Sequence, residues 1–422
     1  MSGNLVTRQS AVIGGSFTNA GQLDVYNDVT LGYSASAPLT FNGPGTTWFH
    51  GGLRVSGDSE DPTHPPVTNN STLRGSFTLD LGYGNFINNG TLYAASGDTI
   101  FVTGGYGSWG NAYSTNNGTY RVDAGGTMAI GELTNHDGAT RTLTGGTYSV
   151  AGTLKLADDW APASIVNNSA NIIMDGPSAS MLAWFKYTGE TSDALSGFNN
   201  NLAAGSFTLM NGANFTAGGS FSNAGTVNIG PGSTFQVGPT GYLGTYTQTA
   251  GSTKLNGTLI AGTVNIAGGT LSGAGTLNSG LLVSGTLSPG NSPGTIIVNG
   301  NYTQTGTLEM QVAMDSADLV EVNGNVALGG ILDINPYGTW SGSVDQDFLI
   351  LAWTGSKSGN FDQIFLPNLA GYNFSMDWEA NGLYLDVTGN GPTSGTPEPT
   401  TAAFLLIGSI MLLGSYKLRR KR

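Results

Sequence analysis

The stretch Ser16-Phe17-Thr18-Asn19-Ala20-Gly21-Gln22-Leu23-Asp24-Val25 returns far downstream as Ser220-Phe221-Ser222-Asn223-Ala224-Gly225-Thr226-Val227-Asn228-Ile229. Shorter copies run Phe86-Ile87-Asn88-Asn89-Gly90-Thr91-Leu92 and Ser114-Thr115-Asn116-Asn117-Gly118-Thr119-Tyr120. Turns such as Asp123-Ala124-Gly125-Gly126-Thr127 and Gly230-Pro231-Gly232-Ser233-Thr234 separate the copies. From Asn256 to Val298 the unit shortens to beats: Gly257-Thr258-Leu259, Gly262-Thr263-Val264, Gly269-Thr270-Leu271, Gly275-Thr276-Leu277 and Gly285-Thr286-Leu287. A unit of roughly 20 residues cannot bury its own apolar face, so each copy must be covered by the next.

Within each unit Leu, Val, Ile and Phe alternate with Thr, Asn and Ser, which puts the two sets on opposite faces of a strand. Gly and Asn are expected to supply the positive-φ corners between strands. The fold class that follows is all-β: a right-handed parallel β-helix (a solenoid) with a C-terminal β cap and a single C-terminal hydrophobic helix. At ~4.8 Å per coil, roughly 15–18 coils would make a rod about 70–90 Å long. A set of β-sandwiches, whose strands also alternate, is the competing architecture.

Composition narrows the function classes. Gly is 67 of 422 residues and only 10% are charged, which suits short strands joined by many turns and excludes a highly charged disordered chain. The last residues hold five of the 14 Lys and Arg and no acid, leaving nine basic against 27 acidic residues, a formal −18, for residues 1–399. Such a body repels nucleic acid phosphates, so no nucleic acid partner is expected. There is no cysteine, which removes a disulfide scaffold, a thiol nucleophile and a Cys-ligated metal.

Two segments interrupt the rhythm. Ser56 to Asn70 carries Asp58, Glu60, Asp61, His64, Pro62, Pro65 and Pro66 and reads as a loop. Met181 to Asn200, with Trp184, Phe185, Lys186, Tyr187 and Glu190, reads as a short helix or an aromatic flap. Residues 331–388 hold longer, more aromatic strands and are expected to cap the open end of the stack, which would otherwise template aggregation. The organisation expected is repeats over 1–300, last coils and cap over 301–388, a linker over 389–395 and a tail over 396–422.

Catalytic and metal-ligating signals are thin. Asp158-Asp159 is the best adjacent carboxylate pair, with Lys155 on its strand, but neighbouring strand residues point to opposite faces. His50, His64 and His136 fall in no metal-ligand spacing and read as surface residues. Asp315 and Asp318 could touch Ca²⁺, yet the nonapeptide spacing of Ca²⁺-binding repeats is missing. No catalytic residue, cofactor or metal is assigned, and the protein is not expected to be an enzyme. A carbohydrate-active β-helix enzyme remains the rival, recognisable by a cleft of converging Asp, Arg and Lys. An ice or surface binder would need a regular threonine array, and the irregular sequence intervals argue against one. Asn89-Gly90-Thr91, Asn117-Gly118-Thr119 and Asn301-Tyr302-Thr303 are glycosylation sequons that the repeat itself generates.

The run Leu287-Ser288-Pro289-Gly290-Asn291-Ser292-Pro293-Gly294-Thr295-Ile296-Ile297-Val298-Asn299-Gly300-Asn301-Tyr302-Thr303-Gln304 resembles the autotransporter-associated β-helix repeat, and Ala317 to Leu332 is similar to the coils after it. An autotransporter ends in a membrane β-barrel of a few hundred residues, for which there is no room here. The tail instead reads Pro397-Glu398-Pro399, then the hydrophobic segment Thr400 to Tyr416, of which Ala402 to Tyr416 is an apolar run, then Lys417, Arg419, Arg420, Lys421 and Arg422. An apolar run of that length rises about 22 Å as a helix, at the short end of the spanning range, with its basic end held on the cytoplasmic side.

In order and position these three parts resemble the PEP-CTERM sorting signal of exported bacterial proteins. That resemblance implies an exosortase-type membrane transpeptidase as partner and transient insertion of the tail in the lipid bilayer. It implies delivery to the cell surface or extracellular matrix, with exopolysaccharide as a further partner. A plain single-span anchor is the simpler reading of the same residues. Met1 to Ser10 holds no apolar h-region, so an in-frame signal peptide upstream of Met1 is expected. The function that follows is an exported, surface-associated structural or adhesin-like protein.

Overall fold

The computed structural model describes residues 3–6, 15–26, 29–33, 38–50, 53–57, 66–81, 84–103, 113–157, 163–185 and 188–391. Among these the fold is all-β, with no α-helix, and most strands pair parallel in long sheets. Thr91 pairs with Thr119, Ser206 with Thr226 and Thr270 with Thr286, so one step of the stack takes 28, 20 and 16 residues. Varying intervals change only the connections. Apart from shifts between Thr144 and Thr147 and between Ile260 and Thr263, the pairing keeps the apolar side chains inward, because an uncorrected slip by one residue would turn them all outward.

Alternation does what the sequence predicts. Thr91–Ala94, Thr153–Leu156, Thr234–Val237 and Thr295–Val298 each alternate half-buried and buried positions. The inward column of the main sheet reads Leu73, Leu92, Tyr120, Tyr148, Ile172, Phe207, Val227, Thr253, Leu271, Leu287, Leu308 and Leu332, all buried. Beside it Phe198, Phe207, Phe215, Phe221, Phe235 and Tyr246 pack mostly edge to face, with centroids 4.9–6.0 Å apart.

The Asn-x-Gly motif works differently from the expectation of positive-φ corners. The only non-glycine residues at positive φ among the described residues are Glu132, Arg141, Asn211 and Ser292, none of them a motif asparagine. Instead the asparagine side chain points inward and ties two steps together. The Asn223 Oδ1 accepts from the Gly225 N–H, closing a local turn, and Asn201 Nδ2 donates to the same oxygen at 2.8 Å. The motif glycine is needed for close approach. A Cβ on Gly90 would run into the Ser71 carbonyl, and one on Gly118 into that of Gly90. Positive φ belongs to the other turns, at Gly125 and Gly232.

Both interruptions contain strands among their described residues. Ser180–Trp184 pairs antiparallel with Thr191–Asp193, so the Met181–Asn200 segment leaves the stack as a hairpin and not as a helix; Lys186 and Tyr187 lie outside the described residues. In the Ser56–Asn70 segment, expected as a loop, Ser56 and Gly57 belong to the strand Leu53–Gly57 and Val67–Asn69 is a strand, while residues 58–65 lie outside the described residues.

Near its C-terminal end the parallel stack meets antiparallel pairing. Ser343–Trp353 pairs parallel with Leu319–Val322 and antiparallel with Gly382–Asn390, which in turn pairs antiparallel with Tyr372–Trp378. Gly389 and Asn390 close that last strand, so the expected linker loses its first two residues to the sheet.

Candidate functional site

The residues singled out in the tail, Pro397, Glu398, Pro399, Lys417, Arg419, Arg420, Lys421 and Arg422, lie outside the described residues. The same holds for the hydrophobic segment, for the Asp158-Asp159 pair and for His64. Lys155 sits on Thr153–Leu156 and points outward. Among the described residues no helix is long and apolar enough to cross a membrane, and no group of three or more His, Asp and Glu could hold a metal.

One of the weighed residues, His136, differs from expectation. His136 is buried rather than surface-exposed, with Nε2 3.0 Å from the Ser164 carbonyl. Asp318 is fully buried and its carboxylate is already engaged, so it is not a calcium ligand in waiting. Its Oδ1 accepts from the Gly294 N–H at 2.9 Å and its Oδ2 from the Gln311 N–H at 2.8 Å. Gly290 packs against it at positive φ, where a Cβ would strike the carboxylate. Burial pushes its pKa from an ordinary 3.8 up to about 6, against the two backbone donors. Asp318 thus clasps the doubled Ser-Pro-Gly turn.

The outward face of the main sheet is the more informative surface. One column begins ten of the strands and crosses two longer ones at Thr147 and Asn171: Thr46, Thr72, Thr91, Thr119, Thr147, Asn171, Ser206, Thr226, Ser252, Thr270, Thr286 and Thr307. Twelve strands in register bring nine threonines, two serines and one asparagine into a line about 53 Å long at ~4.8 Å per strand. Irregular intervals in the sequence therefore do not forbid a regular threonine array. The loops absorb the irregularity.

Two residues along each strand runs a second outward column, and its first part is aromatic and cationic. Asp24, Trp48, Arg74, Tyr93 and Arg121 occupy successive strands in register. The Arg74 guanidinium lies 4.1 Å from the Trp48 ring centroid and 5.0 Å from that of Tyr93, and Arg121 lies 4.5 Å from Tyr93 on the other side. Each such contact contributes about 0.5–1 kcal/mol at an exposed site. Tyr26 and His50 extend the stack, with rings 4.4 Å apart and nearly parallel, and Trp48 lies 4.3 Å from His50.

Charges in this ladder are compensated unevenly. His50 Nε2 lies 3.0 Å from Asp24 Oδ1, and that hydrogen bond holds Asp24 below the usual carboxylate range. Arg121 pairs with Asp123 at 3.0 Å, which raises the arginine further, and Tyr93 donates its hydroxyl to the same carboxylate. Desolvation, then Asp123, raises the Tyr93 pKa. Arg74 has neither an ion pair nor a hydrogen-bond acceptor among the described residues, and its Nε is shut off from water. Nothing in the local sequence signals this ladder, because its members are 19 to 28 residues apart and meet only through the register.

Two concavities carry little chemistry. One is apolar, lined by Phe17, Leu23, Val25, Phe41 and Phe49 among others, and the other holds a single carboxylate, Asp345, beside Ser343, Thr388 and Asn390. Compared with protein-family models and with curated proteins, the chain matches none.

Proposed function

We propose that the stacked strands close into a right-handed parallel β-helix. In this reading the protein is an exported structural or adhesin-like rod, held at the cell surface or in the extracellular matrix. The antiparallel strands over 343–390 then serve as the cap that ends the stack. The observation that carries the reading is the outward column of hydroxyls from Thr46 to Thr307, a long, polar and nearly uncharged strip. Such a strip suits many weak, parallel contacts with matrix glycans, each hydroxyl both donating and accepting.

The destination rests on the tail: Pro397-Glu398-Pro399, an uncharged run and a basic end, in that order. An exosortase-type enzyme would take that tail as its substrate, and the acidic body would follow to the outside. Expression in a host with and without exosortase, followed by mass spectrometry of the mature C-terminus, tests this. Loss of residues after the Pro-Glu-Pro motif only when exosortase is present supports sorting. An intact chain ending at Arg422 in both hosts leaves a plain membrane anchor.

A further inference from the structure

We propose that Arg74 is an anion subsite on the rod, and that its ligand is an acidic, uronate-bearing polysaccharide chain running along the stack axis. The inference rests on the surface-associated reading above and names the class of glycan involved.

Three observations lead there. The first is preorganisation: Trp48 on one side and Tyr93 on the other fix the plane of the Arg74 guanidinium. A guanidinium held this way keeps its planar fork ready for a carboxylate, with little side-chain freedom left to lose. The second is the missing partner. Arg121, stacked on the far face of the same Tyr93, is neutralised by Asp123, whereas Arg74 finds no acceptor among the described residues. Its Nε is buried without a partner, so an anion would meet the guanidinium through the terminal nitrogens, which also have no acceptor among the described residues.

The third observation is the neighbouring column. Thr46, Thr72 and Thr91 stand beside Trp48, Arg74 and Tyr93, two residues along the same strands, about 6.5–7 Å away. Their spacing along the axis, ~4.8 Å per strand, is comparable to the advance of an extended sugar chain per residue. A sugar at each strand can then meet a threonine hydroxyl, while a carboxylate on one of them takes the Arg74 fork. The acidic body as a whole repels polyanions, so attachment depends on the Arg74 guanidinium rather than on a general basic field.

The test uses the full chain in calorimetric titration with an oligogalacturonate and with its methyl-esterified, uncharged counterpart. Native protein should bind the acid form about tenfold or more tighter than the ester, the margin of a charge-assisted bidentate contact. Arg74→Gln should lose that preference, Arg74→Lys should keep part of it, and Arg121→Gln should change it by less than about threefold, because that guanidinium already serves Asp123. Equal binding of acid and ester by native protein would overturn the proposal, and so would equal losses in Arg74→Gln and Arg121→Gln. The acid–ester comparison needs no variant, so it holds even if Arg74→Gln folds poorly. None of these outcomes bears on delivery to the surface, which the C-terminal mass measurement decides separately.

Discussion

One inward position is filled in two ways along the same stack. From Asn168 to Gln248 it is polar: Asn168 donates to Asn201 at 2.9 Å, Asn201 to Asn223 at 2.8 Å, and Asn223 to Gln248 at 3.4 Å. Gln248 ends the line by donating to the Gly268 carbonyl. In register beyond it come Ile266 and Val283, both buried, and then Gln304. Gln304 accepts from the Tyr302 hydroxyl but leaves its Nε2 without a partner among the described residues.

An amide buried in this line is satisfied by its neighbours together with backbone groups of its own and the next step, so each member helps specify the register of the next step. An aliphatic side chain at the same place makes no such demand. There the register depends on alternation and on close-packed glycines such as Gly275 and Gly285. A polar line is thus the more specific solution and the more fragile one. Its steps are also the longer, more variable ones, where a pairing error is easier to make.

The largest effect should come from breaking the polar line. Asn201→Leu removes its bonds with Asn168 and Asn223 and its donation to the Gly205 and Thr226 carbonyls, and chemical denaturation should show a loss of about 2–5 kcal/mol. A loss no larger than that of a surface substitution would remove the distinction between the two solutions.

Next comes Gly225→Ala, which sets a methyl group against the Gly205 carbonyl one step away. A destabilisation of about 1–3 kcal/mol is expected in the same assay, as for other overpacked sites. In the aliphatic part Ile266→Val removes one methyl from a position with no hydrogen bond to lose, and the cost should be only about 0.5–1.5 kcal/mol.

Asp318 gives a pH signature confined to the aliphatic end. Its folded-state pKa, about 6, lies above the ordinary 3.8, so the folded protein holds that proton more tightly than the unfolded chain. The stabilisation is fully present below 3.8 and is lost as pH rises through about 6, a swing of at most about 3 kcal/mol. Unfolding midpoints measured at pH 5 and pH 7.5 should differ more for the native chain than for Asp318→Asn. Parallel profiles for the two would show that burial of this carboxylate does not govern its titration.

Much of the fold was legible in the chain. Alternation of Thr and Ser with Leu, Val and Phe foretold strands such as Thr91–Ala94 and Thr234–Val237, and the aromatic texture after residue 331 marked the change to antiparallel pairing. The task of the motif asparagines was not legible. Asn201 and Asn223 look like turn formers, and only the pairing of one step with the next makes them hydrogen-bond partners. The same limit hid the candidate site. Trp48, Arg74, Tyr93 and Arg121 are unremarked residues in four separate repeats, and their meeting depends on loop lengths that the residues themselves do not encode.

Everything above depends on the in-register stacking of the outward column, and one distance tests it. The chain has no cysteine, so spin labels can be placed by Thr91→Cys and Thr286→Cys alone. Those positions are joined by eight successive registered pairings, which place them about 38 Å apart at ~4.8 Å per strand. Pulsed double electron resonance should therefore return a single narrow distance near that value. A distance well under about 30 Å, or a broad spread without a peak, would contradict the stack and the surface built on it.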